Sequence, residues 1–173
     1  MITIVSATTR PNSYSMVVAE KYASILRERE EDVQLFNLEN MPVSAYNDMV
    51  YKKGEHPLRT YGHQIFFSAE RFILVVPEYN GSFPGAFKML LDVCDPDIFK
   101  GKKFALVGVS SGRAGNLRGM DHLLDVLHYL RAEVFSLKIP ISQIRGLTND
   151  EKEMVDENTI KVIQNQLNEF EKF

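Results

Sequence analysis

Short apolar runs alternate along this chain with stretches that are apolar on one side only. Ile2, Ile4 and Val5 belong to a β-branched run over residues 1–7 that gives way to polar turn residues, as a buried strand does. Over residues 15–29, Val18, Tyr22, Ile25 and Leu26 fall on one helical face and Glu20, Lys21, Arg27 and Glu28 on the other, which predicts an amphipathic helix. A second strand is expected over residues 32–38, where Val33, Leu35 and Phe36 are the apolar positions, so the first three elements read as a parallel crossover. Residues 39–56 hold Pro42, Gly54 and several charges without a period and read as a long loop. A helix over residues 58–69 then leads to Phe72-Ile73-Leu74-Val75-Val76, the most apolar strand candidate and one suited to a sheet centre. Beyond the turn at residues 77–85 the pattern predicts a helix over 86–94, a strand over 104–109, a helix over 117–130 and a fifth strand over 134–139. A last helix is expected after Gly146, opened by a capping box of Thr148 and Glu151, with Ile160, Ile163, Leu167 and Phe170 at helical spacing.

Five strands alternating with helices predict an α/β fold with an open, doubly wound sheet. Such sheets bind ligands outside the carboxyl ends of their strands, near the point where the strand order switches. Three loops therefore become the candidate site: residues 8–15, 77–85 and 110–118. A length of 173 residues, with no internal repeat and no shift in composition, predicts one domain over residues 1–173. The formal net charge of -3 lacks the excess of Lys and Arg that nucleic-acid binders carry, so nucleic acid is not an expected partner. Cys94 is the single cysteine, which excludes an intrachain disulfide and a thiolate metal cluster and fits a cytoplasmic protein. The chain enters its first strand without a basic and apolar leader, and no apolar run approaches membrane-spanning length, so neither export nor a membrane partner is expected.

The first loop, Ala7-Thr8-Thr9-Arg10-Pro11-Asn12-Ser13-Tyr14-Ser15, offers hydroxyls, one guanidinium and the free N–H groups of a helix start. A phosphate monoester presents three acceptor oxygens, and this combination of donors satisfies them. The same residues also fit a plain helix cap in which Ser13 or Ser15 bonds its own backbone and Arg10 is solvated. There is no Gly-x-x-x-x-Gly-Lys and no Gly-x-Gly-x-x-Gly, which argues against ATP and dinucleotide sites of those kinds. The second loop, Pro77-Glu78-Tyr79-Asn80-Gly81-Ser82-Phe83-Pro84-Gly85, sets an aromatic ring, an amide and a permissive glycine where the most apolar strand ends. That set suits a flat heteroaromatic ligand, and it also fits a tight turn closed by two prolines.

Together the two stretches resemble the NADPH-dependent FMN reductase family. Pro77 to Gly85, with Lys88 and Leu91-Asp92 in the following helix, reproduces the family's Pro-Glu-Tyr-Asn-Gly-Ser-x-Pro-Gly pattern. Ala7-Thr8-Thr9-Arg10-Pro11-Asn12-Ser13 is a looser version of Gly-Ser-x-Arg-x-x-Ser, in which Ala and Thr replace Gly and Ser. The resemblance implies a flavodoxin-like doubly wound five-stranded parallel sheet in the order 2-1-3-4-5, with helices on both faces. It implies that Thr8, Arg10, Ser13 and Ser15 hold the FMN phosphate and that Pro77, Glu78, Tyr79, Asn80 and Gly81 line the isoalloxazine. Ser110, Ser111 and Gly112 of the third loop are carried over to the flavin as well, although Asn116 stands where the family often has a glycine. Arg118 reads either as a guide for a nicotinamide phosphate or as a solvated side chain.

The activity so implied is electron transfer from NADPH or NADH, through bound FMN, to a small acceptor: a quinone, a flavin, an azo compound or a metal oxyanion. The cofactor carries the hard chemistry, so no catalytic acid or base is assigned. An FMN-binding electron carrier, or a regulatory flavoprotein without NAD(P)H turnover, is the competing reading. The resemblance further implies a homodimer or homotetramer, for which Tyr46, Tyr51, Tyr61, Phe66 and Phe67 are the candidate contacts. His56, His63, His122 and His128 show no metal spacing, and Asp92, Asp95 and Asp97 straddle a helix end as solvated carboxylates do, so no metal is assigned. Cys94 among Leu90, Leu91 and Val93 reads as an inert, buried thiol.

Overall fold

The computed structural model describes residues 1–47 and 54–173. Strands β1 (Ile2–Ser6), β2 (Val33–Asn37), β3 (Arg71–Pro77), β4 (Lys103–Val109) and β5 (Glu133–Val134) are all parallel and lie in the order β2-β1-β3-β4-β5. The doubly wound, flavodoxin-like architecture is thus the one the alternation of elements and the resemblance predict. Side chains alternate across the sheet as a two-residue period requires. Ile4, Ile73, Val75, Ala105 and Val107 pack under α1 (Tyr14–Glu28) and α5 (Glu157–Phe170). Val5, Phe72, Leu74, Phe104 and Leu106 pack under α2 (Pro57–Phe66), α3 (Gly85–Val93) and α4 (Leu117–Tyr129). Because β3 is covered on both faces, its run of apolar residues is continuous, as read from the sequence.

The fifth strand departs from expectation. In place of one strand over residues 134–139 there are two pieces, β5 beside the start of β4 and β6 (Ile139–Ile141) beside its end, where Val107, Gly108 and Val109 pair with Ile139, Pro140 and Ile141. The interruption begins where Phe135 turns into the core against the rings of Phe170 and Phe173, at centroid distances of 5.7 and 5.3 Å. Pro140 lacks an N–H but sits on the outermost strand, where no ladder partner needs one.

The opening of the last helix is also corrected. The capping box of Thr148 and Glu151 does not form, and α5 begins only at Glu157. Thr148 instead pairs with Met154 in an antiparallel bridge, and Met154 is buried in the core, so tertiary burial overrides the local capping signal. Asp156 is the cap: its carboxylate accepts the N–H and hydroxyl of Thr159 at 2.8 and 2.7 Å, bonds that hold its pKa below the ordinary value.

The gap between β5 and β6 leaves carbonyls without strand partners, and Gln166 of α5 takes them up. Its amide donates to the carbonyls of Leu137 at 2.7 Å and Leu106 at 3.3 Å, and its oxygen accepts the Tyr22 hydroxyl of α1 at 2.6 Å. Tyr22 and Gln166 are both fully buried, and burial pushes the tyrosine's pKa up. Each link therefore replaces water that cannot reach the site. Gln166→Leu is expected to cost about 2–4 kcal/mol because it strands two carbonyls and one hydroxyl, and Tyr22→Phe about 1–2 kcal/mol. Urea unfolding of the two single variants and the double variant checks this: the double is expected to lose clearly less than the two singles combined, and strict additivity would refute the network.

Candidate cofactor site

The carboxyl ends of β1, β3 and β4 open into a cavity of about 480 Å³, within the range of small-ligand sites. Nine of the twelve residues expected at the site line it: Thr8, Arg10, Ser13 and Ser15 from the first loop, Pro77, Glu78 and Tyr79 from the second, and Ser110 and Ser111 from the third. Asn80, Gly81 and Gly112 are not in its lining. They belong to the turns on which the lining residues are mounted.

The first loop leaves the sheet with Ala7 donating to the Val75 carbonyl at 2.9 Å. Ala7 is buried and keeps a negative φ, so the alanine at this point carries no backbone strain. Thr8 is fully buried; its Oγ1 accepts the Arg10 N–H at 3.2 Å and shares a 2.7 Å hydrogen bond with the Tyr79 hydroxyl. That bond ties the first loop to the second. The two serines separate the capping reading from the binding one. Ser13 caps α1, accepting the Met16 N–H at 3.2 Å, whereas Ser15 lines the cavity and its buried hydroxyl has no partner among the described residues.

The second loop is a two-residue hairpin. Tyr79 and Ser82 exchange backbone hydrogen bonds of 2.8 and 3.1 Å, and Asn80 and Gly81 take φ values of 52° and 76° between them. Asn-Gly is the pair this mirror-image turn favours, which explains the sequence and fixes the angle at which Tyr79 leaves the strand. The turn also lets Arg118 lie close, since a Cβ on Gly81 would sit 3.0 Å from its Nη1. Ser82 in turn hydrogen-bonds His122 of α4 at 3.0 Å.

The third loop folds on Ser110, whose hydroxyl donates to the Gly112 carbonyl at 2.9 Å and accepts the Gly115 N–H at 3.0 Å. Asn116 adopts the left-handed conformation, φ 63°, that a glycine would take, and its amide donates to the Val76 carbonyl at 2.9 Å. The substitution therefore preserves the turn and adds a tie to β3.

Sequence reasoning missed Ile144, Arg145 and Lys152, which line the same cavity from beyond β6. The signal was available for residue 144 and its neighbour, because the carboxyl end of the last strand faces the same edge as the others. It was not available for Lys152, which a hairpin brings back. The remaining candidates lie away from the cavity. Cys94 is buried and burial pushes its thiol up to about 12, so it is the inert thiol expected. His56 caps α2, Asp92 pairs with Lys88 at 2.6 Å, and Asp95 accepts the Asp97 N–H at 3.0 Å. Among the described residues no three His, Cys, Asp or Glu side chains gather as metal ligands, and no helix is long and apolar enough to cross a membrane.

The chain is 27% identical over 169 residues to the NAD(P)H-dependent FMN reductase of Pseudomonas aeruginosa, covering 94% of this chain and 89% of that protein. It is 28% identical over 116 residues to the FMN-dependent NADPH-azoreductase of Staphylococcus saprophyticus, covering 63% of this chain and 60% of that protein. Among solved structures it is similar in fold to the flavoenzyme NAD(P)H:(acceptor) oxidoreductase FerB of Paracoccus denitrificans, with a TM-score of 0.75 at 20% identity, covering 98% of this chain and 93% of the other. Residues 1–144 match the model of one family, from the first strand through all three cavity loops, and on that match this chain belongs to the NADPH-dependent FMN reductase family.

Proposed function

We propose that the cavity holds FMN and that this chain, an FMN-dependent NAD(P)H oxidoreductase by family, uses it to reduce a small acceptor such as a quinone, a flavin, an azo compound or a metal oxyanion. One observation carries the assignment of the site: Ser15, whose buried hydroxyl has no partner among the described residues, shares the cavity lining with Arg10 and the start of α1. A buried hydroxyl without a partner is costly, and an anionic oxygen at a helix start supplies the acceptor it lacks. In this reading Thr8, Arg10, Ser13 and Ser15 hold the phosphate, and Pro77, Glu78, Tyr79, Ser110 and Ser111 line the ring. Asn80, Gly81 and Gly112 act through the turns that present those residues. When bound, FMN supplies a ring that takes a hydride from reduced nicotinamide and passes the electrons on.

The chain's own part is positional. The Thr8–Tyr79 hydrogen bond spans the two loops, so the phosphate end and the ring end of the site are held at a fixed separation. Tyr79 is 37% exposed, which keeps its side of the cavity open to a second reactant. We further infer that residues 1–173 act as one domain in the cytoplasm and assemble as a homodimer or homotetramer. Of the aromatic contacts expected for assembly, Phe66 is fully buried in the core and Phe67 is 63% exposed, so the latter remains the candidate; Tyr46 and Tyr61 are half-buried, and Tyr51 lies outside the described residues.

The direct test is an absorbance spectrum after loading with FMN and desalting, followed by anaerobic NADPH or NADH. Flavin bands that survive and then bleach are expected; bands that survive without bleaching would favour the electron-carrier reading, and no retained flavin would refute the site. Ser15→Ala is expected to weaken FMN about tenfold while leaving the thermal stability of the flavin-free protein unchanged or slightly raised, since it removes a buried hydroxyl that has no partner. Fluorescence titration and thermal unfolding measure the two quantities separately. Gel filtration at micromolar concentration checks assembly, and a monomer peak there would rule out a stable dimer.

A further inference from the structure

Arg145 and Lys152 lie beyond the segment that matches the family, yet both line the cavity. Resting on the assignment of FMN to this cavity, we propose that Arg145 and Lys152 form, with Arg10, a cationic clamp on the phosphate, through which this chain selects FMN over unphosphorylated riboflavin.

Three features of the residues support it. Arg10, Arg145 and Lys152 all line the cavity and have no carboxylate partner within 4.0 Å among the described residues, while Glu78 is the one acidic residue in the lining. The lining thus holds three cations and one carboxylate, while Asp150, Glu151 and Glu153, which flank Lys152 in sequence, are exposed and outside it. Lys152 is also set directly over the first loop: its Nζ donates to the Asn12 carbonyl at 3.2 Å and lies 5.0 Å from the centroid of the Tyr14 ring. Asn12 and Tyr14 flank the cap of α1, so the ammonium group stands at the helix start, where the serine hydroxyls and the arginine already gather.

The hairpin that carries Lys152 is built to hold that place. Lys152 donates its N–H to the Asn149 carbonyl at 3.0 Å, and Asn149 and Glu153 are joined by backbone and side-chain bonds between 2.7 and 3.1 Å. Val155 donates to the Leu147 carbonyl at 3.0 Å, and Met154 anchors the strap in the core at 2% exposure. Within this turn Lys152 has φ 62°, the left-handed region that glycine occupies more cheaply. A long cationic side chain is kept where the backbone favours none, and its side chain is the one that reaches the first loop. Glu30 and Arg131 take the same conformation at φ 61° and 62° away from the cavity, so it is the reach of the Lys152 side chain to the first loop that bears on the site.

The strained position supplies an unusually clean experiment. Lys152→Gly removes the cation and relieves the backbone, so the flavin-free protein is expected to keep or raise its melting temperature. Arg145→Gln removes the other cation from an exposed side chain. Wild type, both single variants and the double variant are titrated with FMN and with riboflavin, following flavin fluorescence at about 0.02 and about 0.3 M salt. Wild type is expected to prefer FMN by at least about a hundredfold, and each single variant to weaken FMN about tenfold, the effect of one charge-assisted contact, with riboflavin changed less than about twofold. The salt dependence of FMN binding is expected to shrink in the double variant. Unchanged FMN affinity in the double variant overturns the clamp, and so does an equal loss of FMN and riboflavin, which would mark the strap as merely structural. Failure of wild type to bind FMN at all would instead remove the underlying assignment.

Discussion

Parallel pairing of β1 with β3, from Ile2 opposite Arg71 to Ser6 opposite Val75, sets side by side two carboxyl ends whose following segments depart in opposite directions. The chain after β1 runs out to β2 by way of α1, and the chain after β3 runs to β4 by way of α3 on the other face. No helix can cover the point where the two diverge, so a crevice is left there. The Thr8–Tyr79 hydrogen bond crosses it, Ser15 lies in its wall, and Ser110 and Ser111 extend that wall from the neighbouring β4.

Buried polar groups in this fold divide into those with protein partners and those without. Gln166 and Tyr22 are as buried as any leucine in the core, yet each of their side-chain polar atoms has a protein partner, so their network stabilises the interrupted edge of the sheet. The hydroxyl of Ser15, as deeply buried, has none among the described residues, and the Ser6 hydroxyl and His63 Nε2 likewise lack one outside the cavity lining. The same contrast appears in the third loop, where Asn116 satisfies its amide on Val76 but leaves its oxygen without a partner beside Gly119. Each such atom costs about as much as a lost hydrogen bond.

The charge distribution follows the same division. Ion pairs such as Lys88 with Asp92 and Arg29 with Glu171 are exposed and contribute little to stability. Arg10, Arg145 and Lys152 at the cavity make no such pair among the described residues. Two of them come from the stretch after β6, so the last part of the chain, whose helix covers the sheet, also lines the cavity.

Local pattern alone determined the order and kind of nearly every element, because a buried parallel strand and an amphipathic helix each write a short-range period into the chain: Phe72 to Val76 and the Val18, Tyr22, Leu26 face needed no distant partner to be read. The Asn80-Gly81 turn and the Ser13 cap were legible for the same reason, since their hydrogen bonds close within a few residues. What the tertiary structure decided depends on residues far apart. The break in the fifth strand follows from Phe135 packing on Phe170 and Phe173, the late start of α5 from the burial of Met154, and the arrival of Lys152 beside Tyr14 from a hairpin 138 residues further along the chain. Periodicity carries no information about such contacts, because their free energy comes from burial and charge assembled only once the sheet has formed.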